Sequence, residues 1–323
     1  MRSDCAVQCF EREFASFYHV PYVLALNSGT SAYIAALLAL QIPRDKSVLV
    51  PAFSWPQLVA APKALGYTVD FVDVDIDGKL DIEQLEQKIG YNTGAVIVCH
   101  LFGNPSLASR CKQLARKYGV AVIEDCSQAL LATDNGRYVG TWGDFGFCST
   151  GQKKPLTTGE GGLLWTSNPA LYARAYAFSQ HNERLGSSWL KQNTLFNSLS
   201  MRLHPYGAKL GIKSLQGLGA RLLNTSAFYE QIRCELYELP GAMIPQVSKN
   251  TKAVWCHCPV VLSDELKIAL KRYIWDLSPA YLLCSDNTFR NAINLATNLE
   301  YLKIGRKDKD EFIYKIKSLT YRY

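Results

Sequence analysis

Along residues 20–168, short apolar runs alternate with longer stretches whose apolar residues recur every three or four positions. The runs at 48–50, 69–74, 95–101, 120–123, 145–148 and 163–165 are rich in Val, Ile, Leu and Phe and read as buried strands. Between them, 31–40, 57–65, 82–89 and 107–118 carry helical spacing. Strands without regular polar positions need cover on both faces. The alternation therefore predicts an α/β domain with a mostly parallel central sheet flanked by helices. Further on, residues 186–200 are polar and irregular and read as a loop. A long helix is expected from about Tyr206 to Leu236, then a strand over 255–262 and helices near 264–274 and 309–318. A chain of 323 residues exceeds what one core usually holds. The expected division is a large domain over 1–205, then an interdomain helix and smaller C-terminal α+β domain over 206–323.

Composition narrows the class. Hydrophobic residues at 48% and charged residues at 20% describe a globular chain, and no apolar run reaches membrane-spanning length. Residues 1–13 contain no apolar core of a secretion signal, so a cytoplasmic protein is expected. The 35 basic residues against 28 acidic ones give +7, scattered except at 303–309. That cluster reads as a solvated helix start and not as a nucleic-acid surface. The modest positive charge suits a phosphorylated or nucleotide-linked substrate. Ten cysteines are dilute in this length, and Cys99, Cys126 and Cys148 lie in apolar runs where a reduced thiol is a small core residue. Cys256-His257-Cys258 has neither the spacing nor the second half of a zinc site, and no metal is expected.

Four features fall at strand ends or helix starts, where ligands of open α/β sheets collect. Asn27-Ser28-Gly29-Thr30-Ser31-Ala32 opens a helix; its free N–H groups could hold phosphate, although Ser and Thr also cap helices routinely. Pro51-Ala52-Phe53-Ser54-Trp55 offers an aromatic face for a flat ring, or plain packing. Glu124-Asp125 places two carboxylates at the end of an apolar strand, which is costly without compensating partners. Asp125 is placed either to pair with a protonated ring nitrogen or to act as a helix cap or surface ion pair. The fourth, residues 143–162, sets Lys153 and Lys154 in a Gly- and Thr-rich turn between two apolar strands. A lysine amine becomes a nucleophile when it is held in place and kept partly neutral. No Gly-x-Gly-x-x-Gly follows the first strand, which argues against a dinucleotide site.

Thr30, Trp55, Asp125, Gln128, Ser149 and the tract from Lys154 through Gly159-Glu160-Gly161-Gly162 together resemble the DegT/DnrJ/StrS sugar aminotransferases, enzymes of PLP fold type I. Supporting pieces are residues 10–15, Asp73-Val74-Asp75, residues 100–105 and Gly143-Asp144. The resemblance runs from about Phe10 to Leu222. It implies pyridoxal 5'-phosphate as cofactor and selects Lys154 over Lys153 as the Schiff-base lysine. It also implies Gly29, Thr30, Ser31 and Ser149 around the phosphate, Trp55 on the ring, Asp125 at the ring nitrogen and Gln128 near the ring hydroxyl. The implied reaction moves an amino group from glutamate or glutamine to a keto-sugar or keto-cyclitol, in a homodimer with shared sites. A non-catalytic cofactor-binding relative and a sugar dehydratase are the alternatives; dehydrating relatives replace the lysine with histidine.

Some positions depart from the family pattern. Residues 200–205 resemble the segment that reaches into the neighbouring subunit's site, with Arg202 retained but Ser200 where asparagine is usual. The Arg-x-His-Pro sequence there leans toward the branch acting on cyclitols. The family's usual N-terminal pocket segment is expected to be missing and the C-terminal domain to be short.

Overall fold

Apolar positions bind successive segments into one central sheet in the computed structural model, which describes residues 4–180, 198–275, 298–302 and 304–320. The elements are α1 (Asp4–Tyr18), β1 (Tyr22–Leu26), α2 (Gly29–Leu40), β2 (Ser47–Pro51), α3 (Gln57–Ala64), β3 (Thr68–Val72), α4 (Ile82–Lys88), β4 (Thr93–Cys99), α5 (Ala108–Lys117) and β5 (Ala121–Asp125). Short strands β6 (Thr133–Asp134) and β7 (Arg137–Tyr138) follow, then β8 (Phe145–Ser149), β9 (Gly162–Thr166) and α6 (Pro169–Ser179). The seven-stranded sheet has the order β1-β9-β8-β5-β4-β2-β3. Neighbours from β8 through β3 are parallel, and β9 runs against both β8 and β1. This is the mostly parallel α/β architecture expected.

Both faces of the sheet are covered, which is why its strands read as unbroken apolar runs. In β4, Ile97 and Cys99 pack with Tyr33, Leu37 and Leu171 of α2 and α6, while Val96 and Val98 pack with Leu85, Cys111 and Leu114 of α4 and α5. On the flank near β1, Phe10, Phe14 and Tyr18 of α1 pack on Trp165 and Cys148. Fully burying side chains of this size contributes about 1.5–3 kcal/mol each. β1 was not among the expected strands; it follows α1, whose Phe10, Phe14 and Tyr18 recur at helical spacing, after a short turn at Pro21.

The long helix expected over 206–236 is instead two helices, Pro205–Leu215 and Leu218–Tyr237. Gly217 breaks it with φ 67, a left-handed conformation that glycine adopts without a Cβ clash. Ala208, Leu215, Leu218 and Leu222 join the core under α1, whereas Ile232 and Leu236 join a second core with Val260, Leu262, Leu302 and Phe312. The second helix therefore spans both cores. The C-terminal sheet is antiparallel, in the order Ala242–Met243, Cys258–Leu262, Leu299–Leu302, Ile274–Trp275. Its strand starts at Cys258 and not at 255, and the helix expected to reach 274 ends at Leu270. The loop predicted over 186–200 lies outside the described residues except for 198–200, as does Lys303 of the basic cluster. Among the described residues, no helix is long and apolar enough to cross a membrane.

Candidate active site

β5 delivers its two terminal carboxylates to different work, because successive strand side chains point to opposite faces. Glu124 is fully buried and accepts the N–H groups of Gly140 (2.7 Å), Trp142 (2.9 Å) and Gly143 (2.6 Å). It also meets His100 Nε2 at 3.1 Å. Ser106 N–H donates to His100 Nδ1 (3.0 Å), so the ring proton lies on Nε2 and points at Glu124. Glu124 thus ties β5 to the 140–143 turn and is an architectural carboxylate. Asp125, 7% exposed, sits across from Cys99 of β4 and Phe147 of β8. Its Oδ1 accepts the N–H of Ser127 (2.9 Å), and no salt bridge among the described residues involves it.

Beside this strand end, the start of α2 and the end of β8 are pressed together. Ser28 caps the helix by accepting Ser31 N–H (2.9 Å), and the Ser28 and Ser31 hydroxyls share a 2.8 Å hydrogen bond. The first N–H groups of a helix have no acceptor within it. Thr30 and Ser31 remain partly exposed there. A Cβ on Gly29 would lie 2.9 Å from Ser149 Cβ and 3.0 Å from its Cα, so the absent side chain lets the two elements touch. Gly162 plays the same part on the other side, where a Cβ would lie 2.4 Å from the Ser28 carbonyl oxygen. Ser149 is fixed from behind by Ser127, whose Oγ accepts its N–H (2.9 Å).

The lysine loop closes between β8 and β9. Thr150 N–H donates to Gly161 O (2.8 Å), Thr158 N–H to Thr150 O (2.9 Å), and Lys154 N–H to Gly151 O (2.9 Å). The Thr150 and Thr158 hydroxyls meet at 2.7 Å inside it. Lys153 is exposed and Lys154 half-buried, so the fold separates two chemically equal neighbours. The Lys154 charge acts on Cys99, Cys148, Cys256 and His257, which surround the strand ends. Its Nζ has no hydrogen-bond or carboxylate partner among the described residues.

Other expected residues fall around this centre. Trp55, just past β2, keeps 47% of its surface exposed. Gln128 Oε1 accepts the N–H of Phe102 (2.7 Å), holding a turn after β4 in which Phe102 has φ 64 and Gly103 φ 94. That turn receives a segment the sequence had not marked for the site. Val254 N–H donates to Gly103 O (2.9 Å) and Cys256 N–H to Phe102 O (3.0 Å). The segment leads to His257, 103 residues beyond Lys154 in the chain, on which the Lys154 charge acts; in the sequence it read only as the middle of a poor zinc triplet.

Ser200 and Arg202 lie along the end of β1, where Asn27 N–H donates to Met201 O (2.9 Å) and Leu203 N–H to Ala25 O (3.3 Å). With Glu11, Tyr176, Gln180 and His204 they line a cavity of about 390 Å³. Burial pushes the Glu11 carboxyl up to about 7, although it accepts the Ala25 N–H at 2.8 Å.

Comparison with known proteins adds to this geometry. The sequence model of the DegT/DnrJ/EryC1/StrS aminotransferase family matches residues 3–292. GDP-perosamine synthase of Escherichia coli O157:H7 is 39% identical over 173 residues, covering 53% of this chain and 48% of that protein. L-glutamine:2-deoxy-scyllo-inosose aminotransferase of Streptomyces kanamyceticus is 33% identical over 172 residues, covering 53% and 40%. These matches thus span about half the length of each relative or less. The crystal structure of DesV from S. venezuelae superposes with a TM-score of 0.86 at 26% identity, covering 98% of this chain and 90% of that one.

Proposed function

Since the chain belongs to the DegT/DnrJ/EryC1/StrS aminotransferase family, whose cofactor is pyridoxal 5'-phosphate, we propose that it moves an amino group from glutamate or glutamine to a keto-sugar or keto-cyclitol. The observation that carries this reading is the half-buried Lys154 amine, without a hydrogen-bond or carboxylate partner among the described residues, on a closed loop where its charge and that of Asp125 act on the same thiols, Cys99 and Cys148. The residues present fit the cofactor. The Gly29–Ser149 contact forms a cradle that a side chain on Gly29 would fill, next to the N-terminus of α2. Such a helix start, with the hydroxyls of Thr30, Ser31 and Ser149, suits a phosphate. Asp125 would supply the anion for a ring nitrogen and Trp55, 47% exposed, an aromatic ring, while Gln128 holds the Phe102 turn.

When bound, the cofactor supplies an aldehyde and an electron-withdrawing ring. Lys154 would provide the amine that attaches it and the base that moves a proton at the donor carbon. Asp125 would pair with the ring nitrogen and favour its proton. The neutral thiols of Cys99 and Cys148, pushed up by burial, add no competing anion near the amine.

We take 1–205 as the cofactor-binding domain and 206–323 as the joining helix and small domain. We also assign a homodimer in which Ser200 and Arg202 reach the partner's site. The exposed apolar Tyr206 and Leu210, on the helix that follows this segment, offer surface for a partner to cover. A cytoplasmic location agrees with the unpaired cysteines of the buried strands. The test is a single turnover of cofactor-loaded protein with glutamate or glutamine. The expected product is the matching 2-keto acid in amounts equal to the enzyme. No keto acid from either donor, with cofactor bound, refutes the reading.

A further inference from the structure

β5 ends at Asp125, paired with Phe147, while β8 runs on to Ser149, so the last turn of β8 has no β5 strand beside it. N–H groups of successive strand residues point to opposite neighbours. Phe147 O accepts the Cys126 N–H (2.8 Å) on the β5 side, and Thr150 N–H donates to Gly161 O (2.8 Å) on the β9 side. Ser149 N–H therefore faces β5 at a level the strand does not reach. It meets the Ser127 side chain instead, whose Oγ accepts it at 2.9 Å. Ser127 is anchored in turn, since its own N–H donates to Asp125 Oδ1, also at 2.9 Å. One half-buried serine thus joins the carboxylate that ends β5 to the backbone that ends β8.

We propose that Ser127 is a positioning residue of the cofactor site, its hydroxyl holding Ser149 against the start of α2; the inference rests on the pyridoxal 5'-phosphate reading above. Ser149 is pressed on Gly29 from the other side, where a Cβ would lie 2.9 Å from the Ser149 Cβ and 3.2 Å from its nitrogen. Its backbone is thereby gripped between the helix start and the Ser127 hydroxyl. Ser149 Oγ accepts the Gly151 N–H (3.3 Å), which leaves its proton for an acceptor in the cradle. That proton serves a phosphate only while the Ser149 backbone stays against α2. Ser127 acts through Ser149 and not by touching the phosphate. Removing its hydroxyl strands the Ser149 N–H and frees the end of β8, while the Ser127 N–H still holds Asp125. The damage is confined to the phosphate end.

The test compares pyridoxal 5'-phosphate with pyridoxal, which lacks the phosphate, by fluorescence titration. Ser127→Ala weakens pyridoxal 5'-phosphate about tenfold, the worth of one hydrogen bond, and pyridoxal by less than about twofold. Ser127→Thr, which keeps the hydroxyl, restores the preference for the phosphorylated compound. Equal losses for both compounds mark general disruption and overturn the proposal. Binding of pyridoxal 5'-phosphate that is unchanged or tighter in Ser127→Ala overturns it too. Hydrogen exchange in the unmodified, cofactor-free protein checks the contact without any substitution. The Ser149 amide is protected although no strand backbone accepts it, and an unprotected amide overturns the placement. Failure of the cofactor reading looks different, since the unmodified protein then binds neither compound while its Ser149 amide stays protected.

Discussion

Replacing Gly29 with alanine isolates the contact on which the phosphate cradle depends. By helix propensity alone the change is favourable, since alanine is better than glycine by about 1 kcal/mol in a helix. Geometry reverses the sign. The new methyl lies 2.9 Å from Ser149 Cβ and 3.0 Å from Ser149 Cα, where ordinary contact begins near 3.4 Å. One of these atoms is backbone and cannot rotate away, so α2 and β8 must part by about half an ångström. Gly162, on the far side, blocks retreat, because the Ser28 carbonyl is already packed on it. Overpacking of this kind costs about 1–3 kcal/mol. The same half-ångström separates the Ser149 hydroxyl from the helix start, so cofactor affinity falls about tenfold or more, at 1.4 kcal/mol per decade. The assay is cofactor titration by fluorescence, with thermal unfolding of the cofactor-free protein alongside. Gly90→Ala is the control, since nothing lies within 4 Å of its Cβ position, and it changes stability by less than about 0.5 kcal/mol. If Gly29→Ala binds cofactor as tightly as the unmodified protein, the cradle argument is wrong.

Other outcomes follow from the same structure. Asp125→Asn keeps the fold but removes the negative charge, and the donor step slows by about 10²-fold or more in stopped-flow measurements. Glu124→Ala strands three backbone N–H groups and His100, at about 1–3 kcal/mol for each buried group left unpaired, and denaturant unfolding shows a severe loss. Glu11 has a folded-state value of about 7 against an unfolded 4.5, so the unfolded chain ionises first and the group's penalty grows between those values as pH rises. Glu11→Gln therefore gains stability relative to the unmodified protein from pH 4.5 to above pH 7, and a constant difference across that range contradicts the burial argument.

Buried strands were legible because two-sided cover makes them continuous apolar runs, as in β4 and β5. The glycine and hydroxyl cluster at the start of α2 was legible, and the structure shows that Gly29 there lets the helix touch Ser149. Long-range partners were not. Nothing near Glu124 announces His100, 24 residues away, or the three N–H groups of a later turn. The break at Gly217 was masked by helical spacing on both sides, and only its φ of 67 reveals it. His257 was hidden for a related reason. Its neighbours suggested a metal triplet, while the backbone docking of residues 254–256 is made on a turn in which Phe102 and Gly103 take positive φ, which no local pattern marks.

The central claim is that Lys154, and not its exposed neighbour, holds the cofactor. Borohydride reduction of the cofactor-loaded protein, followed by peptide mapping by mass spectrometry, tests it directly. The account predicts one pyridoxyl group on Lys154, retained in Lys153→Ala and lost in Lys154→Ala. Label on Lys153, or unchanged labelling in Lys154→Ala, contradicts it.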